Sequence, residues 1–338
     1  MAEARLVVER FVSNGSTPPA FEAVRGIPNL PVEPLPAGVL CLVARMSGRP
    51  VARLSIQARE NLTGAPGRNG IVGHYEALDR DAGVALLRAA CREAGGLGVA
   101  RVLGPMNGST WARYRLALPA RPGDPVFEPP FFAAEPRNPF DYPEHFEAAG
   151  FRVAARYESR LDDLAADAPD ADAVAARVAR AGFSLRPLDL EHFDAELDVL
   201  FALSLEAFVQ NPYYSPIEAG AFRAMYEPLR ARMDPEFVQV AMDRDGHPCG
   251  YLFAFADPPA TDNGISTRLI AKTVAVAPRA RGHGLANHML DRIRAAARRR
   301  GHREMIHALM HVANASTSMS SRHGGRVFRR YALWEWTP

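Results

Sequence analysis

The stretch that decides the fold is Lys272-Thr-Val-Ala-Val-Ala-Pro-Arg279-Ala-Arg-Gly282-His-Gly284-Leu-Ala286. Its alternating valines predict a β-strand that stops at Pro278, and the apolar stripe that begins at Leu285 predicts a helix. Glycines at 282 and 284 let successive backbone N–H groups point into one concavity, and the helix N-terminus adds unpaired donors and a partial positive charge. Strand, glycine turn and helix together predict a site for a phosphate or pyrophosphate.

The spacing of the glycines separates this motif from two common nucleotide loops. A Rossmann fingerprint requires Gly-x-Gly-x-x-Gly, but Asn287 stands at the third glycine position, and a P-loop pattern is absent. What remains is Arg-x-x-Gly-x-Gly after a Val-x-Val-x-Pro strand. This combination resembles the GCN5-related N-acetyltransferase (GNAT) superfamily, whose acetyl-CoA signature is Arg or Gln, x, x, Gly, x, Gly or Ala.

The resemblance implies that acetyl-CoA is a co-substrate. The main chain of residues 281–286 would hold the pyrophosphate, and Val274 and Val276 would pair with the pantetheine arm like an added strand. The N–H of Val276 would polarise the thioester carbonyl, because the strand splays from its neighbour there. The implied coenzyme contacts are Val274, Ala275, Val276, Arg279, Arg281, Gly282, His283, Gly284, Leu285, Ala286, Asn314 and Ser316.

The resemblance also points to catalytic residues. Many relatives carry a tyrosine acid within an Asn-x6-Tyr-x3-Gly run, and here the run from Asn314 to Gly325 has Ser321 at the tyrosine position. Ser321 would position a water, or a tyrosine of the other domain would replace the missing acid. Asn314 fits helix capping as well as coenzyme contact. His311 is the candidate general base.

Three further side chains are candidate acceptor contacts. Tyr213 and Tyr214 lie where this superfamily builds its acceptor pocket, although aromatic packing explains them equally well. Lys272 is the only lysine of the chain and stands in the strand that leads to the glycine turn. No metal site is predicted, because His307 and His311 on one strand would lie about 13 Å apart.

The length of 338 residues suggests two domains, and the predicted elements occur twice in the same order. The motifs Asn107-Gly-Ser-Thr110 and Asn314-Ala-Ser-Thr317 follow equivalent strands and support an internal repeat. The predicted fold class is α/β (an α+β mixed sheet), with two GNAT-like acyl-CoA N-acyltransferase domains in tandem. Their predicted bounds are 1–161 and 183–338, joined by a helix over 162–182.

The predicted elements define the two copies. A proline-rich segment over 121–143 is expected to form an ordered loop. In the first copy, Asp79 and Asp81 stand in the place of the glycine turn and would repel a pyrophosphate, so this copy is not expected to bind coenzyme A. The predicted strands are 39–45, 51–57, 70–76, 101–103, 151–161, 237–242, 249–256, 267–276, 304–310 and 327–336, and the predicted helices are 82–94, 144–149, 162–181, 191–208, 284–300 and 314–323.

Composition narrows the function. The net charge of +2 gives no general footprint for nucleic acid or an anionic membrane, and three dispersed cysteines suggest a reduced compartment, so we expect a cytoplasmic protein. The expected activity is acetyl transfer to the amine of a small molecule or an amino terminus, within a ternary complex, by a possible homodimer. A non-catalytic acyl-CoA sensor is the main alternative, and an aminoacyl transferase ranks below both.

Overall fold

A mixed sheet runs through both predicted domains in the computed structural model, which describes residues 6–28, 30, 32–120, 131–165, 168, 170–258, 261–262 and 265–338. The strands in these residues are β1 (Leu6–Val12), β2 (Leu40–Met46), β3 (Arg49–Leu62), β4 (Ala65–Ala77), β5 (Arg101–Gly104), β6 (Leu116–Ala117), β7 (Arg152–Asp162), β8 (Ser184–Pro187), β9 (Val238–Met242), β10 (Pro248–Ala256), β11 (Thr261–Asp262), β12 (Ile265–Ser266), β13 (Arg268–Val276), β14 (Glu304–His311) and β15 (Arg326–Trp336). All but β11 and β12 belong to this sheet.

Helices cover both faces of the sheet. They are α1 (Pro19–Glu22), α2 (Arg80–Gly96), α3 (Tyr142–Ala148), α4 (Ala171–Arg180), α5 (Phe193–Phe208), α6 (Ala219–Tyr226), α7 (Leu285–Arg299) and α8 (Ala315–Arg322), with short 3₁₀ turns at Glu227–Arg232, Pro235–Phe237 and Pro278–Ala280. Apolar residues of α2 form the core of the first half and those of α7 the core of one face of the second, while α5 and α6 cover the opposite face. No helix in the described ranges is both long and apolar enough to cross a membrane.

The closing strands of the two halves are exchanged. The order across the sheet is β1-β2-β3-β4-β5-β15-β7-β14-β13-β10-β9-β8. The last strand of the chain, β15, therefore pairs with β5 of the first half, and β7 of the first half pairs with β14 of the second. The boundary predicted after residue 161 follows the order of the chain, whereas the sheet interleaves the two halves.

Most long elements lie where the hydrophobic patterns predict them. The elements that were not predicted are the strands β1, β6, β8, β11 and β12 and the helices α1 and α6. The predicted helix over 162–181 is wrong in its first half, because β7 continues to Asp162, whose carboxylate binds Arg294, and α4 begins only at Ala171. Within the proline-rich segment, residues 121–130 lie outside the described residues and Tyr142 already begins α3, which shortens the predicted loop.

Candidate active site

The glycine turn has the geometry that the sequence predicts. Gly282 and Gly284 both adopt left-handed backbone conformations, with φ of 87° and 88°, and Gly284 is the N-cap of α7. A β-carbon at Gly282 would meet no atom within 4 Å, so the turn opens to a free space. The first-turn N–H groups of α7 have no intrahelical acceptor and are available to an anion.

Strand β13 presents a free edge beside this turn. It pairs with the parallel strand β14 only from Arg268 to Ala271, after which the two strands diverge. The N–H of Ala277 donates to Cys249 of β10 at 2.9 Å, while the carbonyl of Val276 accepts from Arg281 on the other side at 3.1 Å. Because strand residues alternate in direction, the N–H groups of Val274 and Val276 face the gap between the strands.

Two cavities meet along this gap. One, of about 670 Å³, extends from the glycine turn along β13, and the other, of about 540 Å³, lies between the two halves of the chain. The residues that border both cavities are Phe208, Asn211, Pro212, Val274, His311, Asn314, Ser316 and Met319. Cavities that share a wall at the diverging strands can bring two reactants together at Val274 and His311.

His311 lies at the junction of the cavities. Burial, aided by the Arg115 guanidinium, lowers the pKa of this histidine from 6.5, so the ring is neutral at pH 7. Its Nδ1 accepts from the N–H of Ala313 at 3.2 Å, so the neutral ring carries its proton on Nε2 and its basic lone pair on Nδ1. The ring of Tyr157 lies 5.2 Å from the His311 ring, edge to face.

Most of the expected coenzyme contacts border the first cavity. They are Val274, Ala275, Val276, Arg281, Gly282, Gly284, Leu285, Ala286, Asn314 and Ser316. Asn314 also caps α8, accepting from the N–H of Ser316 at 3.2 Å, so both explanations of this residue stand. The side chain of Arg279 instead pairs with Glu206 at 3.0 Å, and the ring of His283 lies 5.2 Å from that of Phe183.

Two other expected residues are directed away from the cavities. Ser321 Oγ donates to the carbonyl of Thr317 at 3.0 Å and accepts a hydrogen bond from Arg160, so its hydroxyl is already engaged outside the cavity wall. Tyr213 packs in the core between the two halves, with its hydroxyl 3.5 Å from the carbonyl of Ala154. Tyr214 and Lys272, in contrast, border the second cavity.

Sequence reasoning missed several residues at this site. Trp111, Tyr114 and Tyr157 belong to the first half of the chain but border the second cavity, together with aromatic residues of the second half. Arg177 of α4 donates to the carbonyl of His283 at 3.2 Å and so adds a positive charge beside the glycine turn. None of these residues carries a local motif, and only the packing of the two halves brings them to the site.

The corresponding place in the first half is closed. The side chain of Asp79 caps α2 by accepting from the N–H of Ala82 at 2.8 Å, so a carboxylate already occupies that helix N-terminus. The N–H of His74, at the equivalent free edge of β4, donates to the side chain of Asn107 at 2.6 Å. The cavity beside these residues measures only about 50 Å³. That the first half binds no coenzyme A stays a prediction.

A family model agrees with the site in the second half. The model described as the Acetyltransferase (GNAT) family matches residues 202–321, from α5 to α8. Residues 202–321 of the second half are therefore similar to the GNAT family. The stretch that first suggested this family lies within the matched residues, and the match includes the glycine turn, β13, β14 and His311.

Solved structures extend the GNAT likeness to most of the chain. A glucosamine N-acetyltransferase region of a fungal multi-domain β-N-acetylglucosaminidase is 15% identical with a TM-score of 0.57, covering 99% of this chain but only 38% of that protein. A GCN5-related N-acetyltransferase from Sphaerobacter thermophilus is 16% identical (TM-score 0.50; 88% of this chain and 80% of that one). A tandem GNAT protein from the clavulanic acid biosynthesis pathway is 15% identical, with a TM-score of 0.50, and the match covers 88% of this chain and 82% of that one. At these identities the likeness establishes the fold: two GNAT-like units in tandem around one mixed sheet.

None of the curated proteins searched matches the chain.

Proposed function

We propose that this chain is an acetyl-CoA-dependent N-acetyltransferase that acts by direct attack of an amine in a ternary complex. The observation that carries the proposal is the junction of two cavities at Val274 and His311. The first cavity runs from the glycine turn along the free edge of β13, as an extended coenzyme arm requires, and the second offers a separate place for an acceptor. The acceptor is the amine of a small molecule or of an amino terminus.

The residues have distinct roles in this proposal. The free N–H groups of Gly282 and of the first turn of α7 hold the pyrophosphate, with Arg281 and Arg177 nearby. The N–H of Val276 donates to the thioester oxygen and stabilises the negative charge that develops there. His311, neutral at pH 7, accepts at Nδ1 the proton that the attacking ammonium must lose, and gives up its hydrogen bond from the N–H of Ala313 in that step.

A tyrosine from the first half of the chain supplies a hydrogen-bond donor where the usual acid is missing. Tyr157 borders the second cavity beside His311, and burial raises its pKa above the usual value of 10, so its hydroxyl stays protonated. This phenol can donate a hydrogen bond to the departing thiolate, which takes its proton from solvent because a phenol with a raised pKa is too weak an acid to transfer one. Such a donor would explain why Ser321, directed towards Arg160, is not needed at the usual position.

Calorimetry with acetyl-CoA tests the coenzyme part of the proposal. Gly282→Glu should weaken binding by roughly 100-fold, because a carboxylate about 4 Å from a phosphate repels it by several kcal/mol even at an effective dielectric constant of about 20. Gly246→Glu is a matched control: Gly246 has φ of 77° and also meets no atom within 4 Å, but it lies in the turn between β9 and β10. Equal affinity in both variants, or no binding by the intact protein, contradicts the proposal.

A non-catalytic acyl-CoA sensor is the second candidate, favoured by the serine at position 321. Release of free thiol from acetyl-CoA, followed with a broad panel of amines, separates the two functions. Turnover with any amine supports the enzyme. Tight binding of acetyl-CoA without turnover supports the sensor.

A further inference from the structure

The second cavity, of about 540 Å³, has mainly apolar and aromatic walls. Its aromatic side chains include Trp111 and Tyr114 from the first half and Tyr214, Tyr226, Phe253 and Phe255 from the second. Among the described residues that line it there is no aspartate or glutamate. A cavity without carboxylates offers no ionic partner to a second ammonium group, so polyamines and other multiply cationic acceptors fit it poorly.

Lys272 brings a cation into this cavity. It is the extra residue of a β-bulge in β13, where Phe253 pairs with Thr273 and the next residue, Ala254, already pairs with Ala271. Its side chain is partly buried and borders the cavity. Within the described part of the chain no carboxylate or hydrogen-bond acceptor pairs with its ammonium group. An unpaired cation among apolar walls is costly unless a ligand supplies the counter-charge.

The coenzyme does not supply that charge. Its phosphates would lie at the glycine turn, which borders the first cavity, whereas Lys272 borders only the second. The charged side chain that acts on Lys272, Arg115, is itself a cation: it lies 3.9 Å from the Tyr114 ring centroid and donates to the carbonyl of Leu309. The counter-charge must therefore come with the acceptor.

We propose that the acceptor carries a carboxylate that binds Lys272 and an apolar or aromatic body that packs against the cavity walls. This inference rests on the proposed function, because it names the class of amine that the transferase acetylates. The amine end of such an acceptor lies towards Val274 and His311, where the two cavities meet, and the carboxylate end lies at the bulge in β13.

The titration of Lys272 adds a pH test. Burial, with the Arg115 guanidinium, lowers the pKa of Lys272 from 10.5 to about 8. The lysine therefore loses its charge, and its affinity for a carboxylate, as the pH rises through about 8. The other titratable side chains at the cavity walls are Tyr114, Tyr157, Tyr214, Tyr226, His307 and His311, and none of them is a carboxylate.

The experiment compares three amines with the same ring. They are para-(aminomethyl)benzoate, the corresponding benzamide and para-xylylenediamine, which place a negative, a neutral or a positive group opposite one reactive amine. Calorimetry in the presence of coenzyme A measures their binding without requiring turnover, and thiol release from acetyl-CoA measures kcat/KM. We expect the benzoate to be preferred over the amide by about tenfold or more in both measurements, the usual worth of a charge-assisted hydrogen bond.

Substitutions of Lys272 test whether this side chain causes the preference for the benzoate over the amide. Lys272→Gln should abolish the preference for the benzoate while leaving the amide nearly unchanged. Lys272→Arg should keep the preference for the benzoate. In this variant the preference should no longer fall between about pH 7 and pH 9.5, because arginine stays charged. The inference is overturned if the amide or the diamine binds at least as tightly as the benzoate. It is also overturned if the preference for the benzoate persists in Lys272→Gln, or if none of the three amines binds.

The outcome for this inference is separate from that for the proposed function. Benzoate binding that depends on Lys272, without any thiol release, would retain the carboxylate site and reject the transferase. Intact mass measurement after incubation with acetyl-CoA is a further check, because Lys272 is the only lysine of the chain. Stoichiometric acetylation of Lys272 itself would overturn its role as a carboxylate anchor.

Discussion

His311 is the residue whose replacement tests catalysis most directly. It is the neutral base of the proposed reaction, and general base catalysis contributes about 10²–10⁴-fold to a rate. His311→Gln should therefore lower kcat by about that factor. Since the pKa of His311 lies below 6.5, kcat/KM of the wild type should fall as the pH drops below that value, and this acid limb should be missing from the residual activity of the variant.

The matched control for this prediction is His192→Gln. His192 is exposed at the N-terminus of α5 and pairs with Asp189 at 2.8 Å. Its replacement should leave the rate and the pH profile unchanged. An unaltered kcat in His311→Gln would remove the histidine from the mechanism and leave deprotonation to solvent.

At the scale of single residues, the sequence predicted the residues that border the first cavity better than those that border the second. Gly282, Gly284 and the valines of β13 lie within one short segment, so their spacing alone indicates a strand, a turn and a helix. Arg115 reaches the site through a hydrogen bond to Leu309, 194 positions away in the chain. No local pattern encodes such a contact.

Helix α7 is fixed to the sheet by a buried ion pair between Arg294 and Asp162 of β7. The Arg294 Nε lies 2.7 Å from one carboxylate oxygen, and Nη2 lies 2.9 Å from the other. Arg294→Met should lower the free energy of unfolding by about 3–5 kcal/mol, because it leaves a buried carboxylate without this partner. Urea denaturation measures the change, and Arg292→Met, at an exposed position of the same helix, should alter it by no more than about 0.5 kcal/mol.

The same pair predicts a pH dependence. Burial raises the pKa of Asp162, but the neighbouring His307 and Arg294 outweigh burial and hold the pKa at about 2, below the ordinary 3.8. A carboxylate with a lowered pKa in the folded state stabilises the protein above its unfolded-state pKa and loses that effect as the pH falls. The stability difference between wild type and Arg294→Met should shrink between about pH 4 and pH 2; a constant difference would contradict this account.

At the scale of elements, periodicity predicted the long strands and amphipathic helices, because each buries one regular face. It did not predict α6 or the bulge at Lys272, both of which border the second cavity. It also did not predict the exchange of β7 and β15. The sequences of both strands have the pattern of ordinary closing strands. Their alternation of apolar and polar residues does not specify which half of the sheet they join.

At the scale of the whole molecule, the two similar halves differ at the equivalent helix N-terminus and strand edge. In the first half, the side chain of Asp79 accepts a hydrogen bond at the N-terminus of α2, and the side chain of Asn107 accepts one from the edge of β4. Its residues Trp111, Tyr114 and Tyr157 nevertheless line the second cavity together with residues of the second half. The predicted domain bounds and the predicted homodimer stay predictions, since neither the sheet nor the comparisons test them.

The strand exchange predicts that the second half does not fold alone. A fragment of residues 183–338 lacks β7, which pairs with β14 on one side and with β15, from Arg326 to Glu335, on the other. It also lacks β5 and β6, so among the described residues β15 would lose every strand with which it pairs and expose apolar edges that favour aggregation. We expect the fragment to be insoluble or to lack a cooperative thermal transition by circular dichroism, and to bind no acetyl-CoA.

Co-expression of residues 1–182 with residues 183–338 is the matching control. It restores every strand of the sheet while breaking only the chain after α4, so the two pieces should co-purify and regain acetyl-CoA binding. The two measurements together distinguish a missing sheet partner from a damaged site. A fragment of 183–338 that is monomeric, unfolds cooperatively and binds acetyl-CoA like the full chain would show that the exchanged strands are dispensable, and that the first half serves the acceptor cavity alone.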